Sequence, residues 1–205
     1  PSASSIQREK RGAPMRLDNI CKSYGEKAVL KDFSAVFANG GFSWIMGESG
    51  CGKTTLLRII AGLEDFSGSI SQVPSGGISM VFQEDRLFGA LSALENCALV
   101  SDKSGCEIRK MLISTGLSED DITRPAEVLS GGMKRRTAIV RAMCRSCGIL
   151  LMDEPFRGID SENRIKTAEM ISHISGKTVI AVTHDITDTE LIGGSVLHMK
   201  KEIFE

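Results

Sequence analysis

The sequence predicts an α/β fold in which a mainly parallel β-sheet is covered by helices on both faces. Short apolar runs typical of buried strands alternate with segments whose apolar residues recur at helical spacing. A glycine-rich segment also leads directly from one of these apolar runs into a helix-like segment. The 205 residues, of which 41% are hydrophobic, are enough for one globular domain with a sizeable core.

The N-terminal part of the chain, residues 15–46, is predicted to form three short strands. Its β-type segments are RLDNICKSY, VLKDFSAVF and GGFSWIM, and turn residues separate them. After the glycine-rich segment, TTLLRIIAGL has the spacing of a helix whose apolar face consists of Leu56, Leu57, Ile60 and Leu63. Another buried-type strand, GISMVF, follows at 77–82.

The C-terminal part continues the alternation. Residues 84–128 have helical spacing and are predicted to form an inserted helical unit between two motifs. The elements predicted after this insert are a helix over 131–147, the strand GILLM, a helix over 161–175, the strand KTVIAV and a short αβ ending.

The two chain ends carry further expectations. Residues 1–14 are polar and basic without periodicity, so we expect an expression remnant or a disordered leader there and a folded domain over 15–205. The last β-type run lies at 195–204, which leaves no room for a C-terminal regulatory domain.

Composition narrows the partners and the compartment. The net charge of -1 gives no reason to expect a nucleic acid partner. The apolar runs are far shorter than the roughly 18 residues that a membrane-spanning helix needs, so a function at a membrane requires another chain to cross it. Six cysteines without an apolar signal segment favour a reducing cytoplasm, where disulfides are not expected.

The segment GESGCGKT, residues 47–54, matches the phosphate-binding pattern G-x-x-x-x-G-K-[ST]. Because a strand precedes it and a helix follows, its glycines can turn backbone N–H groups toward phosphates at the positive end of the helix. Lys53 is predicted to reach the β- and γ-phosphates and Thr54 to bind Mg²⁺. The other predicted contacts are Gly47, Glu48, Ser49, Gly50, Cys51, Gly52 and Thr55. We interpret Cys51 as a small residue at a variable position in preference to a redox-sensitive thiol.

The strand GILLM ends in two carboxylates, Asp153 and Glu154. Phosphoryl transfer needs one group that positions a metal ion and another that orients or deprotonates water. Asp153 is therefore predicted to act toward Mg²⁺ and Glu154 toward the attacking water. With a phosphate loop upstream, this interpretation is favoured over a solvated turn.

The segment LSGGMKRR contains a second pair of glycines at a predicted helix start. Ser130, Gly131 and Gly132 would form an anion site from free N–H groups, a hydroxyl and the helix dipole. One nucleotide does not need two such sites from the same chain. The second is therefore predicted to bind ATP held by another copy, in a head-to-tail dimer with two ATP molecules between the subunits.

These motifs together resemble the ATP-binding cassette (ABC) ATPases, the nucleotide-binding subunits of transporters. The phosphate loop, LSGG and ILLMDEP occur in the family's order and separations over residues 15–205. The resemblance implies a P-loop NTPase fold of ABC type with an N-terminal antiparallel β subdomain and a helical insert. It also implies ATP and Mg²⁺ as cofactors.

The resemblance assigns further roles by position. It implies that Tyr24 stacks on adenine, that Gln83 contacts Mg²⁺ beside the membrane-subunit contact, and that His184 holds the γ-phosphate. Asp160 matches the loop that touches the opposite subunit. The catalytic residues implied are Lys53, Glu154 and His184, whereas His173 and His198 are expected to be ordinary surface or core residues.

Two positions depart from the family pattern. FRGID, around Arg157 and Gly158, replaces a version with small residues, and Met133 replaces the usual glutamine after LSGG. Both put the strength of dimer closure and the rate of turnover in question. Elsewhere in this region, a metal or thiol pair formed by Cys144 and Cys147 is disfavoured. A solvated helix face is favoured over nucleic acid binding for the basic residues Lys134, Arg135, Arg136, Arg141 and Arg145.

Two kinds of function stay open at this point. The run QEDRLF…LSALENCAL resembles the nitrate, sulfonate and taurine group of bacterial importers, which implies a homodimer on the inner face of the cell membrane. Its partners would be integral membrane permease subunits and an extracellular or periplasmic solute-binding protein. The alternative is an ABC ATPase that drives lipoprotein release, cell division or a soluble assembly. The sequence does not identify the solute.

Overall fold

The computed structural model describes residues 12–200. Residues 12–14 have no regular secondary structure, and residues 1–11 and 201–205 lie outside the described part. The expectations for a leader at 1–14 and for a β-type run reaching 204 therefore fall largely on residues that the structure does not describe, and they stay predictions.

The described residues form the alternating strands and helices that the sequence predicts. The strands are β1 Met15–Tyr24, β2 Lys27–Phe37, β3 Phe42–Gly47, β4 Ser67–Ser71, β5 Ile78–Val81, β6 Ile149–Asp153, β7 Thr178–Thr183 and β8 Ser195–Met199. The helices are α1 Lys53–Ile60, α2 Ala93–Ala98, α3 Gly105–Ser114, α4 Glu119–Thr123, α5 Gly131–Cys144, α6 Ser161–Ser172 and α7 Ile186–Ile192. No helix within residues 12–200 is long and apolar enough to cross a membrane.

Within the described residues, the central sheet consists of five parallel strands in the order β5-β6-β7-β3-β8. Every residue of β6 and β7 is buried. Continuous apolar strands of this kind are expected where helices cover both faces of a sheet. One core cluster contains the apolar face of α1, and a second cluster on other residues of the sheet contains side chains of α5 and α6.

A second sheet is antiparallel, in the order β2-β1-β4 among the described residues. This confirms the antiparallel β unit near the N-terminus. The sequence analysis missed β4, whose residues SGSIS include a single apolar side chain, the half-buried Ile70. Such a strand forms through its ladder with β1 and has no apolar alternation of its own.

The segment predicted to be helical contains α2, α3 and α4. Each helix begins after a serine whose side chain accepts a hydrogen bond from the third helical N–H, and the acidic residue there bonds back to the serine N–H. This reciprocal capping stabilises short helices that would otherwise be marginal. Their apolar residues pack with Val140 and Cys144 of α5 in a third core cluster.

Three predicted helix ends are too long. Helix α1 ends at Ile60, and Leu63 lies beyond it with 56% of its surface exposed, because Gly62 takes a left-handed conformation with φ of 71°. Helix α5 ends at Cys144, since Arg145 is extended, and α6 ends at Ser172.

Candidate functional site

Three loops meet at one edge of the parallel sheet. Strands β6, β7 and β3 are neighbours, so their carboxyl ends bring Asp153, Thr183 and Gly47 to the same edge. In open parallel sheets this edge is where ligands bind. The loops that follow contain the predicted phosphate-binding segment, the predicted acidic pair and His184.

The glycine-rich loop is folded around the Lys53 ammonium group. Lys53 Nζ donates hydrogen bonds to the carbonyl oxygens of Gly47 at 2.7 Å and Glu48 at 2.8 Å. Gly50 and Gly52 have φ of 79° and 98°, in the left-handed region that side chains disfavour. Helix α1 begins at Lys53, so its unpaired N–H groups face the same loop.

Asp153 lies at the floor of this edge with 2% of its surface exposed. Burial raises the pKa of the Asp153 carboxyl group, and a hydrogen bond from Thr54 opposes that rise. The Thr54 hydroxyl and the Asp153 carboxylate are therefore adjacent oxygen donors, the type of ligand that Mg²⁺ prefers.

Glu154 occupies an unusual backbone conformation. Its φ is 48°, and its N–H donates to the carbonyl oxygen of Val182 at 3.0 Å, which holds it against β7. Its carboxylate lies between two other side chains: Oε1 is 3.3 Å from His184 Nδ1, and Oε2 is 3.5 Å from Arg157 Nη1.

The loop that carries His184 is anchored by Arg164 of α6. Arg164 donates to Asp185 Oδ2 at 2.6 Å and to Asp188 Oδ1 at 2.9 Å. The hydrogen bond from Arg164 lowers the pKa of Asp185 to about 2. Asp185 also caps α7, because its Oδ1 accepts a hydrogen bond from the Thr187 N–H. Both carboxylate oxygens of Asp185, the residue after His184, therefore accept hydrogen bonds.

An open cleft of about 860 Å³ lies at this edge of the sheet, and the predicted residues Gly47, Glu48 and Asp153 are not among those that line it. From the predicted phosphate loop and the helix after it, Ser49, Gly50, Gly52, Lys53, Thr54 and Thr55 line the cleft. Gln83, Glu154 and His184 line it from other loops. The sequence analysis missed Lys27, Val29 and Arg157, which also line the cleft and which no pattern marks as nucleotide contacts.

Other predicted residues lie around the cleft. Cys51 is buried, and Tyr24 is 43% exposed with Lys22 Nζ 4.9 Å from its ring centroid. Among the described residues, Tyr24 does not line the cleft, although it pairs in the β1–β2 hairpin with Lys27, which does.

The second predicted anion site lies outside this cleft, where α5 and α6 begin next to each other. Ser130 Oγ accepts a hydrogen bond from Met133 N at 3.3 Å, and Asp160 Oδ1 accepts one from Asn163 N at 3.1 Å. Gly132 lies so close to Gly158 that a Cβ on it would be 2.9 Å from the Gly158 carbonyl oxygen. Each helix start is thus capped by its own chain.

The prediction that the basic residues of α5 form a solvated face is wrong for Arg135 and Arg136, which are only 3% and 4% exposed. Arg136 donates to the carbonyl oxygens of Gly132 at 3.2 Å and Thr115 at 2.6 Å. The error arose because α5 packs between the helical insert and the sheet, so residues on several sides of it are buried. The apolar residues that follow Arg136 in the sequence were the signal that could have indicated the burial of this helix.

Arg135 joins two loops of the site. It donates to the carbonyl oxygens of Phe82, Asp153, Glu154 at 2.8 Å and Pro155 at 3.2 Å, and it is 3.3 Å from Asp85. The segment that carries Gln83 and the end of β6 are therefore held in fixed relative positions. Burial lowers the pKa of Arg135, and Asp85 opposes the change.

Comparisons with known proteins agree on one family. The family model described as "ABC transporter" matches residues 30–157. The chain is 35% identical over 202 residues to the "Aliphatic sulfonates import ATP-binding protein SsuB 2" of Pseudomonas aeruginosa (strain UCBPP-PA14), covering 93% of this chain and 73% of that protein. It is 36% identical over 189 residues to "SsuB 1" of Paracoccus denitrificans (strain Pd 1222), covering 88% and 77%.

Solved structures give the same result. The "Dimeric Structure of MJ0796, a Bacterial ABC Transporter Cassette" matches with a TM-score of 0.79 and 30% identity, covering 91% of this chain and 94% of that one. A dimeric post-hydrolysis state of MJ0796 bound to ADP and Pi matches with a TM-score of 0.78 and 31% identity, covering 93% and 97%.

Proposed function

This chain belongs to the ABC transporter family, and from that premise we propose which residues perform its work and for which solutes. The chain is an ATP-binding and ATP-hydrolysing subunit that powers import of a small solute. The observation that carries the proposal is the cleft lined by Lys53, Thr54, Glu154 and His184, with Asp153 interacting with Thr54 at its edge.

The phosphate loop is the proposed site for the nucleotide phosphates. Lys53 donates hydrogen bonds to two loop carbonyls, which stabilise the folded conformation of the loop. On binding, Lys53 would contact the β- and γ-phosphates, and the loop N–H groups from Gly47 to Thr54 would surround them. Tyr24 remains the proposed adenine contact at the hairpin beside the cleft.

The residues fit a Mg²⁺ ion. Thr54 interacts with the Asp153 carboxylate, and Gln83 lines the same cleft as Thr54, so three side chains with oxygen donors are available in this region. These residues are the proposed ligands. When bound, Mg²⁺ supplies charge neutralisation for the phosphates during transfer.

Glu154 and His184 are the proposed catalytic pair. The left-handed backbone at Glu154 and its bond to Val182 aim the carboxylate into the cleft, and His184 lies 3.3 Å from it. Glu154 would orient the attacking water and accept a proton from it. His184 would bind an oxygen of the γ-phosphate.

Two copies of the chain are proposed to complete each site. Ser130, Gly131, Gly132 and Asp160 lie at adjacent helix starts outside the cleft, and there they would contact a nucleotide bound by another copy. The resulting homodimer would hold two ATP molecules between its subunits, and the dimeric MJ0796 structures support the homodimer.

The proposed permease contact is the segment 83–88 and its surroundings. Phe88 is 61% exposed, and the exposed Leu63 and Val100 line a groove nearby, which favours an apolar partner surface. Arg135 connects this segment to Asp153 and Glu154, so movement there would reach the catalytic residues. The chain is proposed to lie on the inner face of the cell membrane, with a solute-binding protein outside.

The proposed solute class is aliphatic sulfonates, supported by the names of relatives that are 35–36% identical over most of the chain. The test is affinity capture of the Glu154→Gln form with ATP and Mg²⁺ from detergent-solubilised native membranes, with Lys53→Ala as the control. Recovery of a multi-span permease, and ATP hydrolysis by that complex stimulated by a sulfonate-loaded binding protein, is the expected result. Capture of only soluble or single-span partners would contradict import.

A further inference from the structure

The turn after β6 places an arginine beside the nucleotide cleft. Arg157 belongs to the segment FRGID, which departs from the family pattern of small residues, and it lines the cleft. Its N–H donates a hydrogen bond to the carbonyl oxygen of Glu154 at 3.1 Å. The turn is anchored, because Phe156 is 5% exposed and Arg135 donates to the carbonyl oxygens of Glu154 at 2.8 Å and Pro155 at 3.2 Å. The backbone therefore fixes Arg157 next to Glu154.

The Glu154 carboxylate has a nitrogen group close to each of its oxygens. Arg157 Nη1 lies 3.5 Å from Oε2, and His184 Nδ1 lies 3.3 Å from Oε1. All three residues line the cleft. In the proposed function the attacking water lies between this carboxylate and the γ-phosphate. A long side chain that touches the carboxylate is then also within reach of the γ-phosphate.

The charge of Arg157 suits this position. An ionised Glu154 and the γ-phosphate carry like charges and repel each other. His184 offsets that repulsion only when it is protonated, whereas an arginine guanidinium stays charged at any physiological pH. The ion pair with Glu154 uses Nη1, and the guanidinium has further N–H groups on Nε and Nη2 in a planar arrangement that matches phosphate oxygens. Because the side chain is 61% exposed, a ligand in the cleft can reach it.

We propose that Arg157 binds the γ-phosphate of the ATP held by its own subunit while Nη1 stays beside Glu154. The guanidinium then lies between the carboxylate and the γ-phosphate and offsets the repulsion between them. ADP has no γ-phosphate, so Arg157 makes the cleft selective for the triphosphate. This inference rests on the proposed function, because it requires ATP to bind in the cleft with its phosphates at the Lys53 loop.

The experiment compares the affinities of the parent and Arg157→Gln proteins for two nucleotides. Isothermal titration calorimetry with Mg²⁺ measures binding of ADP and of the non-hydrolysable ATP analogue AMP-PNP, at protein concentrations where sedimentation velocity shows monomers. Loss of a charge-assisted bond to phosphate should weaken AMP-PNP binding roughly 10-fold and change ADP binding less than about twofold. Arg157→Lys should recover part of the AMP-PNP affinity, because it keeps the charge and loses the planar fork.

Arg124→Gln is the matched control. Arg124 lies 3.8 Å from Asp121 in an ion pair of the same spacing as that of Arg157 with Glu154, and its side chain is 64% exposed. It does not line the cleft, so its glutamine variant should bind both nucleotides as the parent does.

Two results separate this inference from the proposed function. If the parent binds both nucleotides and Arg157→Gln weakens both equally or neither, the role of Arg157 is overturned and the proposed function stands. If the parent binds neither nucleotide, the proposed function is overturned and the inference with it.

Discussion

The nucleotide cleft and the adjacent starts of α5 and α6 differ in how their polar groups are arranged. In the cleft, Lys53, Glu154 and His184 point from separate loops into one open space. At the helix starts, Ser130 and Asp160 cap their own helices, and neither residue lines the cleft. The first region lines an open cleft, and the second lies outside that cleft.

The two glycine motifs therefore differ in their surroundings although each begins a helix, and this difference is the basis of the different roles proposed for them. The phosphate loop surrounds the Lys53 ammonium group, whereas LSGG begins α5 at an exposed position. Their separation within one chain is what makes a dimer with shared sites the central proposal.

The largest expected effect comes from removing the carboxylate of the cleft. Glu154→Gln keeps the shape of the side chain but cannot accept a proton, so ATP turnover should fall about 10²- to 10⁴-fold. ATP affinity should be retained, since the Lys53 loop is untouched. Steady-state phosphate release and equilibrium binding of a fluorescent ATP analogue measure the two quantities.

Glu169→Gln is the matched control for that change, because Glu169 is an exposed carboxylate on α6. It should leave both turnover and affinity as in the parent protein. A Glu154→Gln protein that hydrolyses ATP at the parental rate would remove Glu154 from the proposed mechanism.

The next effect concerns the side chain that connects the cleft to the segment 83–88. Arg135→Met would leave Asp85 and several carbonyl groups without their partner, so the free energy of unfolding should fall by roughly 3–5 kcal/mol. Urea denaturation measures the loss. Arg145→Met, at an exposed position just after the same helix, should change stability little. Equal losses in the two variants would refute the role given to Arg135.

The smallest expected effect is on pH-dependent stability without nucleotide. Because burial raises the pKa of Asp153 in the folded protein, its contribution to stability is present below the unfolded pKa and is lost as pH rises through the folded pKa. Asp153→Asn should therefore melt at a higher temperature than the parent at neutral pH, and the difference should vanish in acid. Calorimetric melting curves across that pH range test this.

Asp160→Asn is the control of opposite sign. Hydrogen bonds from Asn163 lower the pKa of Asp160, so its contribution is present above the unfolded pKa and is lost as pH falls through the folded pKa. Its asparagine variant should melt lower than the parent at neutral pH. If both variants shift in the same direction, the contrast between the buried floor of the cleft and the exposed helix start is wrong.

The same contrast explains how much the sequence could predict. The phosphate loop and the strand ending in Asp153 are local patterns in which adjacent residues share one task, and their fold follows from apolar runs and glycines. Arg135 was misread because its partners Phe82, Asp85 and Pro155 come from distant segments. Strand β4 was missed for the same reason, since its pairing with β1 and not its own residues determines it.

Contacts between segments that are distant in the sequence also explain the residues whose positions sequence spacing did not predict. Lys27 and Val29 line the cleft only because the β1–β2 hairpin folds over the phosphate loop. Cys144 and Cys97 belong to one core cluster, whereas Cys147, which is near Cys144 in the sequence, packs in another cluster. Such contacts depend on how elements pack, which a periodic pattern does not encode.

The measurement that tests the central claim most directly is sedimentation velocity of the Glu154→Gln protein with and without Ser130→Arg, in the presence of ATP. ATP affinity is measured in parallel on the same samples. A site shared between two copies predicts that Glu154→Gln forms an ATP-dependent dimer, and that adding Ser130→Arg abolishes the dimer while the monomer still binds ATP. A Ser130→Arg form that dimerises as well as its parent would contradict the account.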